Sequence, residues 1–130
     1  MSEEQLFQTN ELSRPASTRL VVKALQQSDK GELAAAAKTL QRAVDLDPNP
    51  RALERLGEIW LKLNQPERAI IPLAAAVTLD PRGSGASTLA VAFMRLRRER
   101  EAHAMAKLAL ARDPEDRQAL EVLETTREGE

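Results

Sequence analysis

The chain contains no cysteine and no tyrosine, and only two phenylalanines and one tryptophan among 130 residues. Without cysteine there is no disulfide and no thiolate metal site, a usage compatible with the cytoplasm. Sparse aromatic and β-branched clusters leave little material for strands. No run approaches the roughly 20 apolar residues that span a bilayer. The acidic start MSEEQLFQTNE has no apolar stretch, which predicts no secretory signal. An excess of one charge is missing too. Nineteen basic and twenty acidic side chains leave a net charge of −1, so neither nucleic acid nor an anionic membrane is expected as a partner.

What is present favours helix. The apolar 42% is chiefly alanine and leucine, interleaved with glutamate, arginine and lysine. These side chains lose little rotamer freedom in a helix. An all-α fold is expected, and the length suits one domain.

The chain offers little for catalysis, which needs a nucleophile, an acid/base pair or a metal site. There is one histidine, His103, and neither G-x-S-x-G nor H-E-x-x-H. Glu99 and His103 stand four apart and read as a solvated pair on an outer helix. Gly83-Ser84-Gly85 lacks the G-K-[ST] of a phosphate cradle and reads as a linker. No enzyme activity, cofactor or metal is expected.

The informative pattern is a repeat. Asp47-Pro48, Asp80-Pro81 and Asp113-Pro114 recur every 33 residues, after AAKTLQRAVDLDP, PLAAAVTLDP and AKLALARDP. A fixed period of this size marks a solenoid, and proline ends each second helix because it cannot donate a backbone bond. Between Pro50 and Pro81 lie Leu53, Leu56, Gly57 and Trp60, then Ala69, Leu73 and Ala76. This stretch resembles a tetratricopeptide repeat, W-x2-L-G-x2-Y, A-x3-F, P, with bulk retained at each substituted position. The first unit matches at Leu20, Ala24, Ala36, Leu40, Ala43 and Pro48. The third matches at Leu89, Ala90, Phe93, Ala102, Ala109 and Pro114, with Ala106 where bulk is usual. The resemblance implies a right-handed solenoid of three antiparallel helix pairs with a capping helix.

Helices are expected at 18–29, 32–46, 51–63, 66–79, 85–97 and 99–112, with Ser17 and Asn49 as N-caps. Gly31 and Asn64 suit the turns within the first two repeats; Arg97-Arg98 stands there in the third. Pro72 falls inside the fourth helix and predicts a lost bond to Arg68 and a bend. The repeats span 17–48, 50–81 and 83–114, within a domain 17–126. Residues 1–16 form either a tail or a segment whose Leu6, Phe7 and Leu12 pack on Val21 and Leu25. Ala119, Leu120 and Leu123 predict the capping helix over 115–126, and 127–130 are expected to fray. The basic run Arg95, Arg97, Arg98 and Arg100 lies within residues 82–114, which carry seven bases and three acids. Segment 115–130 has six acids and two bases, which suggests either a solvated turn or pairing between the two.

The resemblance also implies a function. First helices line a concave groove that binds a protein or peptide, as in adaptors and chaperone-like proteins of the cytoplasm. Leu53, Leu56, Gly57, Trp60 and Leu63 form the core stripe of the third helix. The face left for a partner is Arg51, Glu54, Arg55, Glu58, Leu61 and Lys62. Apolar ends flank it, Val21 and Leu25 on one side, Val91 and Met94 with Arg95 on the other. Some members of this family clamp acidic chaperone tails with lysine, asparagine and arginine. Those positions here are Val21, Leu25, Arg55, Ser84 and Thr88, so four of five lack the amide or cation. An amphipathic helix or extended peptide with apolar anchors fits better. The alternative is a homodimer formed through the groove, the N-terminal segment or the terminal helix.

Overall fold

The computed structural model describes residues 3–127, with side chains from Pro15 onward. Among the described residues there are seven α-helices and no strand. They are α1 (Glu3–Asp29), α2 (Leu33–Leu46), α3 (Pro50–Lys62), α4 (Pro66–Leu79), α5 (Gly85–Arg95), α6 (Glu99–Arg112) and α7 (Arg117–Arg127). Consecutive helices pack as antiparallel pairs, α1 with α2, α3 with α4 and α5 with α6, and α7 closes the array against α5 and α6.

The sequence period reappears as a period of backbone hydrogen bonds. Each pair turns through a left-handed residue, with φ of 80° at Gly31, 59° at Asn64 and 61° at Arg97. At each turn one N–H reaches back five residues, from Glu32 to Gln27, Gln65 to Trp60 and Arg98 to Phe93. A second reaches back three, from Gly31, Asn64 and Arg97. These are three copies of the glycine-type helix stop that satisfies the last carbonyls. Glycine adopts this conformation at no steric cost and asparagine at little, whereas arginine has no such exemption. The third turn therefore forms against local preference, held by the packing around it. Each second helix ends alike: Asp47, Asp80 and Asp113 donate their N–H groups to Ala43, Ala76 and Ala109. Asn49 caps α3 by accepting from the N–H of Ala52 at 3.0 Å, and Pro50 and Pro66 open α3 and α4 where no donor is needed.

The start of the first helix differs from expectation. Ser17 is not an N-cap, because α1 begins at Glu3 and runs through Pro15. Its hydroxyl is buried and instead donates to the carbonyl of Ala43 at 3.0 Å, fastening α1 to the end of α2. Whether Leu6, Phe7 and Leu12 cover Val21 and Leu25 lies outside the described side chains. α5 ends at Arg95, two residues earlier than expected. α4 continues through Pro72, which is buried.

Small residues bring the helices together. Ala24, Ala36, Ala43, Ala69, Ala76, Ala90 and Ala102 are wholly buried. At Gly57 an added Cβ would run into the side chain of Leu73. Leu40, Leu56 and Leu73 are the largest fully buried apolar residues, each contributing about 2 kcal/mol by burial. The core is divided at α3. One cluster joins Ala24, Ala36, Leu40, Leu56 and Ile59. A larger one runs from Leu61 and Leu73 through Leu89, Phe93, Ala102 and Ala109 to Val122. Half-buried Trp60 touches both.

Candidate functional site: two faces of a helical array

The first helices of the pairs form one face, where α3 packs on α5 and α5 on α7. Of the residues expected to line a groove there, Arg51, Arg55 and Lys62 are exposed. Val21, Leu25, Glu54, Glu58, Val91 and Met94 are half-buried. Leu61 does not belong to the free surface. It is 7% exposed within the larger core, because that side of α3 is covered by α5.

Several of the charged residues are engaged within the chain. Glu54 Oε2 accepts from the hydroxyl of Ser84 at 2.7 Å, so Gly83-Ser84-Gly85 is more than a spacer. A Cβ on Gly83 would stand 2.7 Å from Glu54 Oε1, so a larger residue there would displace the Glu54 carboxylate. Arg55 and Glu58 form an exposed pair at 3.4 Å, of little energetic weight in water. Arg95 donates to the carbonyl of Leu61 at 2.7 Å, placing its cation at the negative end of α3. Arg98 pairs with Glu101 at 2.7 Å and lies over the Phe93 ring. The basic run is thus spent partly inside its own repeat, and pairing with the acidic C-terminal segment is carried by Arg112 and Asp116 at 3.3 Å.

Val91, Met94 and Arg95 do come together. With Gln118, Glu121, Val122 and Thr125 of α7 they wall a recess of about 210 Å3. The capping helix therefore supplies half of this recess, and sequence reasoning gave α7 only a covering role. The clamp positions also stay short of cations: Thr88 is buried and Ser84 is bonded to Glu54.

A second recess lies on the opposite face, between the second helices α2 and α4, and sequence reasoning missed it. It encloses about 430 Å3, walled by Val44, Leu53, Leu56, Trp60, Pro72 and Ala75, with Arg68 and Ile71 on its rim. Arg68 stacks over Trp60 at 5.0 Å. Leu53, Leu56 and Trp60 match the core consensus, and nothing in that match shows that α2 and α4 stay apart above them.

Among the described residues no cluster of histidine, aspartate and glutamate is placed to hold a metal, and no helix is long and apolar enough to cross a membrane. His103 Nδ1 lies 2.7 Å from Thr126 Oγ1 on α7. The Thr126 hydroxyl also lies within hydrogen-bond distance of the carbonyl of Val122, at 2.9 Å. His103 thus ties α6 to the cap.

The family profile described as tetratricopeptide repeat matches residues 22–84. No curated protein matches the sequence significantly. Among solved structures, the first TPR domain of Spaghetti (RPAP3) bound to the HSP90 peptide SRMEEVD is similar with a TM-score of 0.85 at 19% identity, over 89% of this chain and 94% of that one. The Arabidopsis OM64 TPR domain gives 0.84 at 19% identity, over 89% and 98%. The TPR2B domain of yeast Sti1, in its pHsp70 complex, gives 0.80 at 16% identity, over 88% and 98%. Identities this low speak for the fold alone. The helix pairs, their repeated turns and stops, and the closing helix agree with it: residues 22–84 match the tetratricopeptide repeat profile, and the chain has the fold of three such helix pairs with a C-terminal closing helix.

Proposed function

We propose that this protein is a non-catalytic adaptor or chaperone-like module of the cytoplasm, which holds a peptide or helical segment of a protein partner on its concave face. The observation that carries the reading is the recess between α5 and α7. There Val91, Met94 and Val122 offer an apolar floor, with Glu121 and Arg95 beside it. Exposed Arg51, Arg55 and Lys62 extend the surface along α3. Apolar anchoring beside fixed polar groups is how a groove holds a segment with specificity. Similar structures support the class of partner, since those of Spaghetti and Sti1 are described with HSP90 and HSP70 ligands. The mode differs. With valine, leucine, serine and threonine at four of the five clamp positions, an acidic C-terminal tail has too few cations to hold it.

Partner capture followed by identification of the bound protein tests this. Met94→Glu combined with Arg51→Glu and Arg55→Glu places charge on the floor and inverts it along α3. All three side chains reach the surface, so helicity should persist while the captured partner is lost. Retention of the partner by this variant would remove the concave face as the site.

A further inference from the structure

The three second helices are controls for one another, because residues 33 apart occupy equivalent places in the array. On α4 the outward positions are Ile71, Ala74, Ala75 and Thr78. Their equivalents are Lys38, Gln41, Arg42 and Asp45 on α2, and Ala104, Lys107, Leu108 and Ala111 on α6. The charged side chains that keep the outer face of α2 in water are missing from α4, in the middle of the molecule. In their place Ile71 stands 79% exposed, more than any other large apolar residue described. An isolated exposed apolar residue is ordinary. This one borders the 430 Å3 recess, so knob and hole lie side by side on one patch.

The recess has a local cause. Position 72 is proline, and the equivalent residue of α6 is Met105, whose long side chain packs onto the larger core. Pro72 is too short to fill the corresponding space between α4 and α2. Trp60 therefore remains half-buried, whereas its equivalent Phe93 is 9% exposed.

A two-fold axis brings a surface against its own copy, so an isologous interface needs a protrusion and a matching recess on the same patch. This patch has both. The charges lining it also balance: Glu67 and Arg68, both on α4. A rim with equal numbers of both signs meets its own copy without net repulsion and can pair opposite charges across the axis. A rim of one sign would oppose self-association and favour a partner of opposite charge.

We infer that two copies of this chain pair through the outer face of α4, each seating Ile71 in the recess between α2 and α4 of the other. This surface is distinct from the groove, the N-terminal segment and the terminal helix as routes to a homodimer. Because it lies on the convex side, both concave faces stay open. The dimer therefore presents two grooves, and a partner carrying two copies of the recognised segment gains from their linkage.

Sedimentation of the full chain from about 1 to 100 µM reads the association directly. A concentration-dependent monomer–dimer equilibrium is expected. Ile71→Glu should weaken it about a hundredfold or more, since each interface would bury two unpaired carboxylates. The substituted side chain is mostly in water in the monomer, so helicity and melting should not change. Lys38→Glu and Ala104→Glu, at the equivalent places on α2 and α6, should leave association unaltered. A chain that is monomeric throughout overturns the proposal. So does a dimer that survives Ile71→Glu, or one that dissociates equally with Lys38→Glu or Ala104→Glu.

Discussion

The junction between the first and second repeats and the junction between the second and third are built from the same pattern and packed differently. At the second, α5 contacts both helices of the preceding pair. Glu54 reaches the start of α5 through Ser84. The same place one repeat later is Ser87, whose hydroxyl donates to Asp116 at 2.9 Å, the residue that also accepts from the N–H of Ala119 to cap α7. One repeat earlier the place is Val21, which has nothing to donate or accept. There α3 packs on α2, and among the described residues α1 makes no contact with α3 comparable to that of α3 with α5. The split in the hydrophobic core and the recess beside Pro72 fall at this same junction. Stability in a solenoid is approximately a sum of repeat and neighbour contributions. The first repeat is accordingly a weakly coupled unit on a firmer body of two repeats and a cap.

Making the first junction resemble the second should have the largest effect. Pro72→Met restores an N–H donor for the carbonyl of Arg68 and supplies the side chain that Met105 provides one repeat later. Chemical denaturation should show a gain of about 2–3 kcal/mol, with Trp60 fluorescence reporting a drier ring. Loss of stability would mean that Pro72 is fitted to the packing around it. The opposite conversion, Glu54→Val, puts the residue of the first repeat into the second. It should cost about 1 kcal/mol through the lost bond to Ser84. An unchanged midpoint would show that the clasp has no energetic role. The smallest effect concerns the turns. Arg97→Gly should stabilise by about 0.5–1 kcal/mol, because Gly31 occupies the equivalent left-handed position without strain. A destabilised variant would show that the Arg97 side chain holds the turn.

Most of the fold was legible because the repeat marks it three times. Asp-Pro stops, buried alanines and the Gly31 and Asn64 turns are local signals, and each sets the backbone within a few residues of itself. Even Arg97, the least suited residue at its position, is drawn into the same turn by its neighbours. The site was legible only in part. Arg51, Arg55 and Lys62 are exposed, and Val91 and Met94 meet at the recess beside α7. Leu61 is buried and Glu54 is bonded to Ser84, because their surroundings depend on how far one repeat is rotated from the next. Helical periodicity places a side chain around its own axis and is silent about the neighbour it meets. The recess between α2 and α4 was hidden for a related reason. It follows from one short residue, Pro72, set where Met105 shows what a longer one does.

Native-state hydrogen exchange tests the unequal junctions most directly, since it reads the opening free energy of each helix separately. At concentrations where the chain is monomeric, amides of α1 and α2 around Ala24 and Leu40 should exchange through an opening of lower free energy than those around Leu89 in α5 and Ala102 in α6. The cap should open no earlier than α2. A single opening free energy shared by all buried amides, or loss of α7 before α2, would contradict a first repeat loosely joined to the rest.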